Sequence, residues 1–179
     1  MSRTPVREAI HRLQSDGLVI AAGRGVAVAP IYPEEIVDFY QLRAALEALA
    51  AELAAARQRE GLLAPAVLRD LEARAHDVGS EAERYDVEGT VRTNLALHKA
   101  IGVAAGNRFV EEALQRLWDR IAISTVIRPP QALWGKRRIE QHTAIIAAIK
   151  AGDSQAAGDA ARRHILDGLS AVRQKSRPD

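Results

Sequence analysis

The stretch that decides the fold is IEQHTAIIAAIKAGDSQAAGDAARRHILDG, residues 139–168. Apolar side chains recur every three or four residues on both sides of Gly152-Asp153, which is typical of two amphipathic helices joined by a tight turn. The same periodicity predicts helices at 34–59, 65–78, 82–104 and 108–127, and it extends the hairpin to 133–151 and 154–174. We therefore predict an all-α fold, an antiparallel bundle of six helices, or seven if the chain breaks near Gly89.

Two histidines of this hairpin are expected to lie at the same level. His142 precedes the turn by about ten residues and His164 follows it by about eleven, and each helical residue rises about 1.5 Å. Both share a face with apolar side chains, so their imidazoles should meet inside the bundle. His98 lies on an apolar face of another helix, with Asn94 one turn before it. Together the four residues would suit a divalent metal such as Zn, Ni or Mn.

The alternative for these histidines is a structural role, because a histidine on an apolar face is more often a hydrogen-bonded core residue than a metal ligand. Spacing alone does not decide between the two. His11 and His76 lack such surroundings and are expected at the surface. Arg43 and Arg120 are candidates for binding an anionic ligand, although Glu47, four residues after Arg43, would pair with it equally well.

Composition and motifs exclude several classes of protein. The 179 residues are 47% hydrophobic and 27% charged, an ordinary globular balance. Without cysteine there is neither a disulfide nor a thiolate zinc site. No apolar run is long enough to span a membrane or to act as a signal peptide, so we expect a soluble cytoplasmic protein. The motifs HExxH, GxSxG and GxxxxGK[ST] are absent, and Glu140 points away from the face of His142, so no enzyme is predicted.

The first 30 residues, called the head below, differ from the body at 31–179. Residues 2–16 predict a short helix, and the apolar runs at 18–21 and 25–29 predict a tight hairpin around Gly23-Arg24-Gly25. Residues 1–25 contain four arginines and two acidic residues, which account for the whole net charge of +2. A basic head indicates a polyanionic partner.

Longer strings add a family resemblance. SRTPVREAI at 2–10, followed by GLV at 17–19 and GRGV at 23–26, resembles the recognition helix and wing of GntR-family transcription regulators. The body is similar to the FCD ligand-binding domain of the FadR subfamily. The strings that carry this similarity are YQLR at 40–43 with Glu47, NLALH at 94–98, GN at 106–107, EQH at 140–142 and RH at 163–164.

The resemblance implies a ligand-responsive, DNA-binding transcription regulator that forms a homodimer on a palindromic operator. It assigns the DNA contacts to the recognition helix and the wing, at Arg3, Thr4, Arg7, Gly23, Arg24 and Gly25. It also implies that Asn94, His98, His142 and His164 hold a divalent metal that contacts a small organic acid, with Arg43 facing the cavity.

The head departs from the family pattern at its start. A winged helix-turn-helix has two further helices before the recognition helix, whereas here Met1 comes directly before it. We therefore expect residues 1–30 to be weakly anchored or packed against another chain, and operator binding to need a complete head. One alternative is a truncated sensor and dimerisation module that binds metal and metabolite without operator DNA. A helical metalloenzyme is the other.

Overall fold

The computed structural model describes residues 3–32, 34–84, 86–127 and 136–175. In this part of the chain one short hairpin accompanies seven helices, so the predicted all-α fold is confirmed. The elements are α1 (Arg3–Ser15), β1 (Val19–Ala22), β2 (Gly25–Val28), α2 (Ile36–Arg59), α3 (Pro65–Glu83), α4 (Val87–Ala104), α5 (Arg108–Ile127), α6 (Lys136–Ala151) and α7 (Ser154–Lys175). The predicted helical residues 133–135 lie outside the described ranges. None of the described helices is long and apolar enough to cross a membrane.

α2 is the central helix of the bundle and packs against α7, α6, α4 and α5. Small methyl groups on its buried face let the neighbouring helices approach closely. This face also carries two charged residues, Arg43 and Glu47, which are 6% and 5% exposed. The alanines that form it are almost inaccessible to solvent: Ala44, Ala48, Ala51, Ala54 and Ala55.

The head contains α1 and an antiparallel hairpin. Val19 pairs with Val28 and Ala22 with Gly25, and Gly23 makes the turn at a φ of 56°, which favours glycine. Five apolar side chains of the head remain 40% to 50% exposed, so the described chain does not bury them in a core. They are Val6, Leu13, Ile20, Val26 and Val28.

The boundary between α3 and α4 differs from the prediction. α3 continues past residue 78 to Glu83. Gly79 lies inside this helix, at a close contact with α6 where a Cβ would be 3.4 Å from the Cγ2 of Ile139. α4 begins at Val87 and not at 82. Asp86 caps it by accepting a hydrogen bond of 2.9 Å from the backbone N–H of Gly89. The break therefore comes before Gly89, which lies in the first turn of α4.

Two turns place the helices of the centre, one before α5 and the predicted one between α6 and α7. The Oδ1 of Asn107 accepts hydrogen bonds from the backbone N–H groups of Phe109 and Val110, at 3.1 and 3.3 Å, and so caps α5. Gly152 adopts a φ of 72° between α6 and α7. These turns bring α4, α6 and α7 around α2 with their histidines pointing into the core.

Candidate metal centre

Three histidines from three helices meet in the core. The ring centroids of His142 and His164 lie 4.3 Å apart, and His98 lies 5.4 Å from the first and 5.2 Å from the second. One nitrogen of each ring lies within 4.8 Å of the others. None of the three side chains is more than 3% exposed. The expected meeting of the two hairpin imidazoles is confirmed, and His98 joins them.

Glu47 fixes the proton of His98. The Nδ1 of His98 lies 2.5 Å from the Oε2 of Glu47, while the Oε1 of Glu47 accepts hydrogen bonds from Arg43 at 2.6 Å and from the indole of Trp118 at 3.2 Å. Burial alone would raise the pKa of Glu47, but the charges and hydrogen bonds of Arg43 and His98 hold it well below its usual range. The ionised carboxylate only accepts, so the Nδ1 of His98 donates the proton of this bond, and the Nε2 is the atom that a neutral His98 would offer to an ion.

A second chain of hydrogen bonds orients His164. The amide nitrogen of Gln141 donates to Asp167 at 2.6 Å, which turns the amide oxygen of Gln141 toward the Nδ1 of His164 at 3.2 Å. Arg137 donates to the same oxygen of Asp167 at 2.8 Å. Since the oxygen of Gln141 only accepts, the Nδ1 of His164 is the donor, and its Nε2 also keeps a lone pair.

His142 differs from both. Among the described residues, neither of its two buried ring nitrogens has a hydrogen-bond partner, and the same holds for the Nε2 of His98. Burial lowers the pKa of His142 well below its usual value, and the nearby His98 and Arg138 lower it further. Burial likewise lowers the pKa of His164, with His142 and Arg138 adding to the effect. Both imidazoles are therefore neutral near pH 7, the protonation state that a metal ligand requires.

Arg138 is the cation closest to this cluster. Its NH2 group donates to the Nε2 of His164 at 3.0 Å, and its NH1 group donates to the backbone carbonyl of His164 at 3.3 Å. Burial lowers the pKa of Arg138 to about 10, and repulsion from Arg43 contributes. Gly168 leaves space for it, because a Cβ there would lie 3.2 Å from the NH1 of Arg138.

The other residues predicted for the metal and effector sites have different surroundings. Asn94 is half-buried on α4, one turn before His98. Arg43 is bound to Glu47, as the sequence allowed. The guanidinium of Arg120 lies over the ring of Phe39, 5.5 Å from its centroid, and its Nε is buried without a partner.

The predicted DNA-contacting residues of the head are on its surface. Thr4 and Arg7 are exposed on α1, with Thr4 in the first helical turn, and Gly23, Arg24 and Gly25 are exposed at the turn of the hairpin. The side chain of Arg3 lies outside the described part. His11 and His76 are exposed, as predicted.

Three residues of the centre were not predicted as functional from the sequence: Glu47 as the partner of His98, Gln141, and Arg138. Glu47 had a usable signal, because a carboxylate one turn from a buried arginine must lie in the same buried layer. Gln141 and Arg138 each stand next to another polar residue in the sequence. Only the orientation of α6 in the bundle determines which of the neighbours faces the histidines.

A comparison of the sequence with models of known protein families gives a match over the helical body. The model of the FCD domain matches residues 38–167, which include all three histidines and Glu47. The chain belongs to the FCD-domain family.

Two curated relatives align with nearly the whole chain, including the residues before the FCD domain. GlaR, an HTH-type transcriptional repressor of Escherichia coli (strain K12), is 28% identical over 180 residues, covering 95% of this chain and 79% of GlaR. YdhC, an HTH-type transcriptional regulator of Bacillus subtilis (strain 168), is 25% identical over 169 residues, covering 93% of this chain and 71% of YdhC.

Solved structures share the fold. McbR/YncC of E. coli has a TM-score of 0.84 at 24% identity and matches 99% of this chain and 82% of its own. A putative GntR regulator from Rhodococcus sp. RHA1 has a TM-score of 0.76 at 21% identity, covering 99% of this chain and 83% of its own. With the FCD match, these findings make the protein a GntR-family transcription regulator and not an enzyme.

Proposed function

We propose that this GntR-family protein is a metabolite-responsive regulator whose FCD domain holds a divalent metal through His98, His142 and His164, with Asn94 as a fourth ligand. The observation that carries the proposal is His142, an imidazole with both nitrogens buried and unpartnered between two other histidines. Leaving buried polar atoms unpaired costs about 1–3 kcal/mol each. A metal ion bound by this cluster would remove that penalty for one nitrogen of His142 and for the Nε2 of His98.

The surrounding hydrogen bonds fit a metal centre better than a purely structural cluster. Glu47 holds the Nδ1 of His98 and Gln141 holds that of His164, so the Nε2 of each ring is the atom that would bind an ion, and Arg138 would have to leave the Nε2 of His164 first. Three neutral imidazoles suit Zn²⁺ or Ni²⁺, and the amide oxygen of Asn94 would add the harder donor that Mn²⁺ accepts. When bound, the metal would supply a positive anchor for the carboxylate of a small organic acid.

The effector would bind beside this centre. Arg43 lies in the same buried layer through its bond to Glu47, and Arg120 is a second arginine of the bundle with an unpaired Nε. Guanidinium groups recognise carboxylates by paired hydrogen bonds, so both remain candidates for contacting the effector. Binding there would alter the packing of α2, α6 and α7.

The DNA-binding part of the proposal rests on the head. Arg3, Thr4 and Arg7 on α1 would contact base edges and phosphates of an operator, and the Gly23-Arg24-Gly25 turn would approach the backbone closely. The regulator would act in the cytoplasm as a homodimer on a palindromic site, since two heads related by a twofold axis match two half-sites.

Metal analysis tests the centre. The wild-type protein, stripped with a chelator and reloaded, should bind one Zn²⁺ or Ni²⁺ per chain, and His142→Ala should lose most of that affinity. His76→Ala is the matched control, because His76 is an exposed histidine on α3. Equal metal content in the wild type and in His142→Ala would contradict the proposal.

A second candidate function is a sensor and dimerisation module that does not bind operator DNA by itself. It is favoured by the exposed apolar side chains of the head, which have no core within the described chain. Binding to duplex DNA measured at several salt concentrations separates the two. Operator recognition requires a preference of about a thousandfold or more over nonspecific DNA, whereas a sensor module has none.

A further inference from the structure

Arg138 is a partly buried cation without an anionic partner in contact. Within the described residues its two hydrogen bonds go to the ring nitrogen and the backbone carbonyl of His164, and neither acceptor carries a negative charge. Among the described residues no carboxylate lies within ion-pair distance of it. The nearby Asp167 is already engaged by Arg137 and Gln141. A guanidinium removed from water usually has an acceptor that carries charge, so Arg138 has capacity for an anion.

The charged side chains around the three histidines carry an excess of positive charge. Arg43 and Arg138 contribute two positive charges beside the cluster, and Glu47 contributes one negative charge. A divalent ion at the centre would increase the positive excess from one to three. One carboxylate would then leave two positive charges uncompensated, whereas two carboxylates would leave one.

Arg138 and a metal ion would compete for the lone pair on the Nε2 of His164. Arg138 can only donate hydrogen bonds, so it occupies this lone pair at 3.0 Å. This nitrogen has only one lone pair. It is also the atom of His164 that would bind a metal, because the Nδ1 is engaged by Gln141. Arg138 must therefore release His164 when that nitrogen binds a metal, and the released guanidinium needs another acceptor.

We propose that Arg138 is the specificity-determining residue of the effector site: it pairs with a second carboxylate of a short dicarboxylic acid whose first carboxylate contacts the metal. The inference rests on the proposed metal centre and names the class of its effector. A short diacid fits because both anchors adjoin the same ring, His164. Effector and metal then bind cooperatively, since the diacid holds the guanidinium away from the ligand nitrogen.

Titration calorimetry on the full chain tests this with matched acids. Succinate and butyrate have the same number of carbons, as do malonate and propionate, and each is titrated into Zn²⁺-loaded protein. The wild type should bind the diacid at least about tenfold more tightly than the matched monoacid, since a charge-assisted hydrogen bond contributes about that factor. Arg138→Met should remove the preference while binding Zn²⁺ as tightly as the wild type or more tightly. Arg162→Met, an exposed arginine on α7, should behave as wild type.

The outcomes separate this inference from the metal centre. Normal Zn²⁺ binding with equal affinity for diacid and monoacid would overturn the role of Arg138 alone. A preference that persists in Arg138→Met would do the same, as would loss of Zn²⁺ binding by a folded Arg138→Met, which would make Arg138 a support for His164. Absence of Zn²⁺ binding by the wild type would overturn the metal centre and this inference with it.

Discussion

The Nδ1 of His98 lies 2.5 Å from the Oε2 of Glu47, and the two side chains are only 3% and 6% exposed. The pair joins α4 to the central helix α2 and sets which nitrogen of His98 faces a ligand. The same carboxylate also binds Arg43 and Trp118, so its charge serves three partners from three helices. We therefore expect stability and the proposed metal affinity to be coupled through Glu47.

Glu47→Gln should weaken Zn²⁺ binding by about tenfold, because a neutral amide raises the basicity of His98 less than a carboxylate does. It should also lower the free energy of unfolding by about 3 kcal/mol, since Arg43 would be left buried without its counter-charge. Calorimetry and urea unfolding measure the two effects. Glu72→Gln is the control, because Glu72 forms an exposed ion pair with Lys150 and should change stability by less than about 1 kcal/mol. Unaltered Zn²⁺ affinity in Glu47→Gln would refute the coupling.

The metal-free protein should lose stability as the pH falls below about 6.5. Unfolded histidines take up a proton near that pH, whereas the pKa values of folded His142 and His164 lie well below it. The unfolded state then binds more protons than the folded state, so acid favours unfolding. Urea unfolding in the presence of a chelator, between pH 7.5 and 5, should show a smaller loss of stability in His142→Leu than in the wild type. His76→Ala should keep the wild-type dependence, and an identical dependence in His142→Leu would argue against the lowered pKa.

Asp86→Ala should lower the free energy of unfolding by about 1 kcal/mol, because it removes the side-chain acceptor at the start of α4. Asp86→Ser should recover most of the loss, since a serine oxygen also accepts from the helix N-terminus. Asp77→Ala, at an exposed position on α3, serves as the control for loss of one negative charge. Thermal unfolding checks the series, and equal stability of Asp86→Ala and wild type would show that α4 does not depend on this cap.

Arg7→Ala should weaken binding to duplex DNA and reduce its dependence on salt. If Arg7 contacts one phosphate, the slope of log affinity against log salt should decrease in magnitude by about 0.9. Fluorescence anisotropy with a labelled duplex measures this slope. Arg108→Ala removes an equally exposed charge on α5 and should leave the slope unchanged. A wild-type slope in Arg7→Ala would remove Arg7 from the DNA-contacting surface.

Local periodicity was sufficient to predict where the main elements lie and which histidines meet. His142 and His164 are equidistant from one turn, so a straight antiparallel hairpin brings them together whatever surrounds it. The same logic failed at the end of α3. The predicted helix ended at residue 78, but Gly79 lies inside α3 at the contact with Ile139 on α6, where packing against another helix outweighs the weak helix propensity of glycine.

The contacts of the centre required the tertiary structure. Glu47 was predicted to pair with Arg43 because four residues separate them on one helix. Its bond to Trp118 spans 71 residues of sequence, and no local pattern carries that information. Arg137 and Arg138 are identical in type and adjacent, yet one binds Asp167 at the surface and the other binds His164. The rotational position of α6 decides which arginine faces inward.

α6 carries three side chains of the centre about one turn apart: Arg138, which bonds to His164, Gln141, which orients the same imidazole, and His142. Glu47 and His98 belong to other helices. A small rotation of α6 about its own axis therefore acts on three contacts of the centre together and leaves the Glu47–His98 pair intact. We therefore expect α6 to be the helix that moves when an effector binds beside the centre.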